Sequence, residues 1–250
     1  MGITTYAAAR RLDRMEHLKQ HGIHVMPLDL TDEQSIWDCT QRIGAIDILV
    51  NNAGYGSYGA IEEVPIAEAR RQLEVNLIGL ASLTQLVIPH MREQRWGKIL
   101  NVTSVGGLQS YPYGGWYHAT KFAVEGLSSA LRQELKPFGV DVIVIRPGAI
   151  RSEWAGIAGS SLLRVSGNGP YERAAQAINA VFTSPGLERL SGKPEQIAEV
   201  IARAVTSRRP RSAYIAPRHA RMLVCSGRLA GSDRLRDLMT RVFMGLPARM

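Results

Sequence analysis

Cysteine is nearly absent from these 250 residues: Cys39 and Cys225 stand alone. Neither a disulfide framework nor a zinc site is therefore expected. No stretch reaches eighteen consecutive apolar residues, which excludes a membrane-spanning helix. The N-terminus lacks the charged, then apolar, then small succession of an export signal, so a cytoplasmic location is the default expectation. Acidic residues are scarce at the other end of the chain. Residues 208–250 hold ten arginines against Asp233 and Asp237, so the net charge of +8 resides entirely there and the first 207 residues are balanced. A nucleic-acid reading of that charge would rest on the tail alone. The tail lacks interleaved aromatics for stacking on bases, and no nucleic-acid partner is expected.

What is present suffices for one large core, since 45% of the residues are hydrophobic, and a single main domain follows. Short apolar runs alternate with helical periods. Residues 3–9, 24–28, 46–50, 98–102, 141–145 and 212–216 read as strands. Residues 12–20, stopped by Gly22, a segment capped by Thr31 and reaching Arg42, and residues 66–92, 116–137 and 193–207 read as helices. This alternation predicts an α/β fold with a doubly wound parallel sheet.

The chemistry centres on residues 104–121. Tyr117 and Lys121 are four apart, so on a helix both point to one face. A phenol titrates near ~10, and a fixed ammonium beside it favours the phenolate. A shift of about two units corresponds to roughly 3 kcal/mol and would bring the group into the range of general acid–base work. Ser104 follows the apolar strand at 98–102, where its hydroxyl can converge with the Tyr/Lys face on one carbonyl oxygen. Random placement of eight tyrosines and five lysines gives about 0.16 such pairs, so the pair acquires meaning only from its surroundings. His118 lies off that face and reads as structural.

Those surroundings resemble the short-chain dehydrogenase/reductase family. Besides the serine-to-tyrosine spacing and the Tyr117/Lys121 pair, four segments match in order: Asp29 in Pro27-Leu28-Asp29-Leu30, Asn51-Asn52-Ala53-Gly54 after a strand, Asn76 in Val75-Asn76-Leu77, and Arg146-Pro147-Gly148. The likeness covers residues 3–150 closely and 190–216 loosely. It implies a Rossmann-like oxidoreductase domain over 1–216, with 149–192 as a substrate-side lid, and leaves 217–250 as a basic amphipathic extension. It further implies that Ser104, Tyr117, Lys121 and Asn76 are catalytic, with Asn76 at a helix irregularity holding a relay water. Without the resemblance, Asn76 would equally be a satisfied polar residue in a helix interior. Cofactor contacts are implied for Asp29, Asn52, Ala53, Gly54, Tyr117, Lys121, Pro147 and Gly148.

Cofactor choice in this family turns on the residues after the strand at 3–9. No carboxylate stands there, and Arg10 or Arg11 can clamp the extra phosphate of NADP, so NADP is expected ahead of NAD. The competing view is a solvated strand end. Gly54-x-Gly56-x-x-Gly59 spells a dinucleotide fingerprint after a strand, yet the next helix starts near Ile66 and no acid stands twenty residues on. It reads as a glycine-rich, substrate-side connection. The phosphate-binding glycine turn that the resemblance implies ahead of Ile3, on a first strand and helix, is not in this chain. A start placed too far downstream and a true truncation both account for that, and either leaves a gap in the sheet.

The expected function is interconversion of an alcohol and a ketone or aldehyde on a lipophilic substrate, the apolar residues of 149–192 suggesting the lipophilicity. Ordinary packing of a variable segment explains them as well. The rival is a truncated, non-catalytic homologue acting as a binding or scaffold subunit. In the tail, Ser232 can cap a helix with Leu235, Leu238, Met239, Val242 and Phe243 on one stripe, flanked by Arg234, Arg236 and Arg241. Three partners fit the stripe: its own domain, a second subunit in a homo-oligomer, or an anionic membrane surface.

Overall fold

The computed structural model describes residues 2–229 and 232–246. The side chains of Cys225, Arg228 and Phe243, and the whole of Arg249, lie outside the described residues. In chain order the elements are β1 (Tyr6–Ala9), a 3-10 helix (Leu12–His21), β2 (His24–Pro27), α1 (Glu33–Ile43) and β3 (Ile48–Asn51). Then come α2 (Ile66–Leu73), a π-helical turn (Glu74–Ile78), α3 (Gly79–Glu93), β4 (Gly97–Val102), α4 (Gly115–Leu135) and β5 (Val140–Pro147). The remainder is α5 (Trp154–Ser166), α6 (Glu172–Phe182), α7 (Pro185–Leu190), α8 (Pro194–Thr206), β6 (Ala213–Ala216), α9 (Arg218–Leu229) and α10 (Asp233–Phe243).

All strand pairs are parallel, as expected for strands joined through helices. They form two pieces, β1–β2 and β3–β4–β5–β6, and among the described residues no strand joins β1 to β3. In the larger piece β4 and β5 are central. Ile99 lies beside Val142, and both pack with Ile36, Leu83, Val87 and Met91 on one face. Their neighbours Leu100 and Ile143 point the other way, onto Ile197 and Ala204. With both faces covered, these strands have no reason to alternate polar with apolar residues, which is why they read as continuous apolar runs. Two polar residues are buried in β4, and both are satisfied. Asn101 accepts from Asn51 Nδ2 at 2.9 Å and donates to Ser128 Oγ at 2.9 Å. Lys98 directs its ammonium at the carbonyls of Ala204 (3.2 Å) and Ser207 (2.6 Å), at the negative end of α8.

Three local expectations change. The helix after β1 is 3-10 rather than α: it buries no side chain, so no packed face holds it in the α geometry. Gly22, at φ 74°, closes it in the left-handed conformation. The cap of α1 is Asp32, whose carboxylate accepts from Gln34 N at 3.0 Å, and not Thr31, whose N–H and hydroxyl both donate to Asp29. The helix expected over 66–92 is interrupted at Glu74–Ile78 by the π-helical turn, with Asn76 in its middle, where the resemblance implies an irregularity.

Candidate functional site

The ends of β3, β4 and β5 open on one side of the sheet, the side on which parallel α/β folds bind ligands. Ser104 leaves β4 in extended conformation and caps a short 3-10 turn over Val105–Gly107, its Oγ accepting from Gly106 N at 2.9 Å. That cap fixes the hydroxyl, which acts on the Tyr117 phenol of α4. Tyr117 and Lys121 are buried on one face of α4, with the ammonium 5.9 Å from the centre of the phenol ring. Lys121 Nζ donates to Val102 O at 3.0 Å, which ties the helix to the end of β4. The three side chains singled out at 104–121 therefore meet.

The electrostatics differ from the expectation for Tyr117. Burial among apolar rings pushes its hydroxyl up to about 12, with the Ser104 hydrogen bond opposing the rise. The same burial brings Lys121 down to about 8, partly offset by Glu125 one turn along. The cause is desolvation: in a closed apolar setting both groups favour their neutral forms.

Asn76 is buried at the π turn, and its amide is nearly saturated. Oδ1 accepts from Tyr55 N at 3.0 Å, and Nδ2 donates to Tyr55 O at 2.9 Å and to Thr120 Oγ1 at 3.1 Å. One lone pair of Oδ1 remains. A Cβ at Gly54 would lie 3.2 Å from that oxygen and 3.5 Å from Lys121 Nζ, so glycine keeps open the space the two share. Asn52, Ala53 and Gly54 are exposed beyond the end of β3. Pro147 and Gly148 close β5. Gly148 N donates to Ala216 O at 2.8 Å, and Ala220 of α9 packs so closely on Gly148 that a Cβ there would lie 2.6 Å from it.

Arg10 is exposed at the end of β1, and its charge reaches Asp29 and Tyr55, as does that of Arg71 on α2. Arg11 is exposed and is not among the charges acting on Asp29. The carboxyl of Asp29 is held low chiefly by the Thr31 N–H. Periodicity offered no signal for Arg71, because the residue belongs to the solvent side of a helix.

Aromatic rings wall the site. Tyr58 lies 5.9 Å from Tyr117, 5.7 Å from Trp154 and 5.4 Å from Phe182, between ring centres. Trp154 lies 5.3 Å from Tyr117. Leu162, Ile178 and Met244 complete the cluster, so the segments after β5 and after α9 both reach the Tyr117 phenol. Tyr58 went unrecognised in the sequence because its partners lie about a hundred residues away. The glycines around it are the trace: a Cβ at Gly56 would lie 2.8 Å from Trp154, and at Gly59 2.5 Å from Val165. Tyr113, with φ 66°, adopts the left-handed conformation costly for a side chain, at the turn leading into α4. His118 is buried with Nδ1 2.9 Å from Gly106 O, so its N–H donates there, and the ring holds the 3-10 turn below Ser104.

The residues present suit the nicotinamide half of a dinucleotide. A phenol, an ammonium and a side-chain-free surface at Gly54 adjoin, and the arginine at the end of β1 suits a ribose phosphate. No pyrophosphate cradle forms at Gly54–Gly59: α2 opens only at Ile66, and those glycines accommodate side chains. Among the described residues no cluster suited to a metal ion occurs. No helix is long and apolar enough to cross a membrane among them either. A surface cavity of about 370 Å³ lined by Trp96, Lys98, Lys136 and Arg208 is at the opposite ends of the strands.

The family described as short chain dehydrogenase matches residues 1–160. The uncharacterized oxidoreductase YusZ of Bacillus subtilis is 34% identical over 212 residues, covering 80% of this chain and 75% of that protein. The NADPH-dependent 3-dehydrocapnine reductase of Ornithobacterium rhinotracheale is 31% identical over 233 residues, covering 86% of this chain and 79% of the relative. The crystal structure of a short-chain dehydrogenase from Streptomyces avermitilis superposes with a TM-score of 0.72 at 28% identity, covering 96% of this chain and 86% of the other. With its site at the strand ends and its match over the larger part of the sequence, the chain belongs to the short-chain dehydrogenase family.

Proposed function

We propose that this protein is an NADP(H)-dependent oxidoreductase that interconverts a lipophilic ketone and the corresponding alcohol. The observation that carries the reading is the meeting of Ser104, Tyr117 and Lys121 beneath a wall of aromatic rings. The cofactor supplies or accepts the hydride at the substrate carbon. Ser104 orients the substrate oxygen, and Tyr117 exchanges the proton on that oxygen. With its hydroxyl pushed up to about 12, Tyr117 holds a proton at neutral pH and serves as the acid in reduction. Lys121 binds the nicotinamide ribose and is recharged through a water held by the remaining lone pair of Asn76. Arg10, with Arg71 behind it, favours the phosphate of NADP. The NADPH dependence of the 3-dehydrocapnine reductase supports the same choice of cofactor. Residues 149–192 form the substrate-side cover, and Trp154, Leu162 and Phe182 make it apolar.

Purified chain mixed with NADPH should enhance the nicotinamide fluorescence, and a long-chain ketone should be reduced. Tyr117→Phe should abolish turnover and keep the fluorescence; turnover retained in that variant removes the assignment. The rival reading is a non-catalytic binding subunit. Absence of any NADPH signal would decide for it.

A further inference from the structure

The helix α10 is turned in an unusual way. A stripe of Leu235, Leu238, Met239 and Val242 at helical spacing ordinarily packs on its own domain. Here all four are exposed, by 46%, 58%, 43% and 73%. The residues of α10 that meet the domain lie on the other side, Thr240 being 8% exposed, and Met244, just past the helix, is 3% exposed and reaches the Tyr58–Tyr117 cluster. At about 100° per residue, Arg234 and Arg241 border the apolar stripe on one side and Arg236 on the other, while Asp233 and Asp237 fall on the half turned away from it. On α9, which precedes α10 in the chain, Met222 is 74% exposed, beside the exposed Arg218 and Arg221.

We infer that this face docks on an anionic lipid bilayer. The charge decides between the occupants. On the two helices Arg218, Arg221, Arg234, Arg236 and Arg241 outnumber Asp233 and Asp237, and Arg236 is paired with Asp233 at 2.9 Å, so two copies meeting through this face would bring like charges together, whereas an anionic headgroup layer is complementary. Apolar side chains flanked by arginines, with the acids away from the surface, are the arrangement of a helix lying in the headgroup boundary. The helix also ends at the pocket: Met244 packs on the aromatic cluster around Tyr117, and Leu246 borders it. A chain seated this way would hold its apolar wall at the surface of the membrane in which a lipophilic ketone resides. The delivery step rests on the proposed function, and the docking does not.

The test is sedimentation of the full chain with sucrose-loaded vesicles, of phosphatidylcholine alone or with about one-third phosphatidylglycerol. Binding is expected on the anionic vesicles only, reduced by high salt. Leu238→Glu with Val242→Glu should weaken it by at least about a hundredfold, and Arg234→Glu by about tenfold. These side chains are exposed, so circular dichroism and the reduction of a short soluble ketone should be unchanged. Unaltered binding in the double variant, or none by the parent chain, would overturn the inference. So would a parent dimer that the double variant splits to monomers without affinity for vesicles, which would make the face a contact between copies. Loss of soluble-ketone reduction in the parent would count against the proposed function and leave the vesicle result standing.

Discussion

The two pieces of the sheet are built differently. In β4 every residue is buried, and in β5 five of eight are, whereas no residue of β1 or β2 is. The well-covered piece carries Ser104 at its end and holds Tyr117 and Lys121 through α4; the exposed piece carries Arg10 and Asp29. Chemistry requiring sub-ångström placement sits on the part that packing makes rigid. In the proposed reading, recognition of a charged phosphate, which tolerates side-chain adjustment, falls to the part open to water. Substitutions in the first piece should therefore act on turnover and stability, and in the second on cofactor affinity.

The largest effect is expected at Tyr117. Its replacement by Phe removes the proton donor and leaves the ring packed, so kcat should fall roughly a thousandfold with the melting temperature little changed. A loss of only a fewfold would mean that another group supplies the proton. Next comes Glu125, whose carboxylate joins the two central strands to α4. Oε1 accepts from Thr103 Oγ1 at 2.7 Å and Arg146 Nε at 2.9 Å, and Oε2 accepts from Arg146 at 2.7 Å. Glu125→Ala leaves Arg146 unpaired and should cost about 3 kcal/mol by urea unfolding. It should also slow turnover, because Thr103 adjoins Ser104; a stability loss without a rate effect would separate packing from catalysis.

Lys121 gives a sign that most active-site residues do not. Its folded value of about 8 lies below the ordinary 10.5, so between these pH values the unfolded chain binds more protons and stability should rise with pH. Below about 8 both states are charged and the folded state bears the full cost, about 3 kcal/mol. Tyr117 acts oppositely and later: raised from 10.0 to about 12, it makes stability fall with pH between those values. Lys121→Met should be inactive yet more stable at neutral pH, and should lack the rise between pH 8 and 10.5. Unfolding curves showing the same rise in the variant would place its origin elsewhere.

The sequence made the rigid piece legible and blurred the rest, for a physical reason. Runs such as Ile99–Leu100 and Val142–Ile143 are apolar because both faces are covered, and the Tyr117/Lys121 pair lies four residues apart on a regular helix. Both signals are local. Tyr58 is fixed by rings that arrive from α5 and α6, and a single tyrosine among glycines carries no trace of them except the missing Cβ atoms. The upward direction of the Tyr117 shift has the same origin: the lysine is near in sequence, but the desolvating side chains are distant. For α10 the stripe was visible, whereas its outward turn depends on Thr240 and Met244 finding the domain first.

Arg10 provides the smallest effect and the sharpest test of the division between the two pieces. The guanidinium is exposed, so its attraction for a phosphate is screened, and one charge-assisted contact corresponds to about tenfold in affinity. Arg10→Ala should thus weaken NADPH by about that factor, as read from nicotinamide fluorescence, and leave NADH and kcat unaltered. The difference should shrink as salt is raised. Because Arg71 projects its charge onto the same Asp29 and Tyr55, the double replacement should weaken NADPH further than either single one. If Arg10→Ala instead weakened NADPH and NADH alike, the arginine would be steadying β1 rather than reading the phosphate. The exposed piece would then share the structural duty assigned to the buried one.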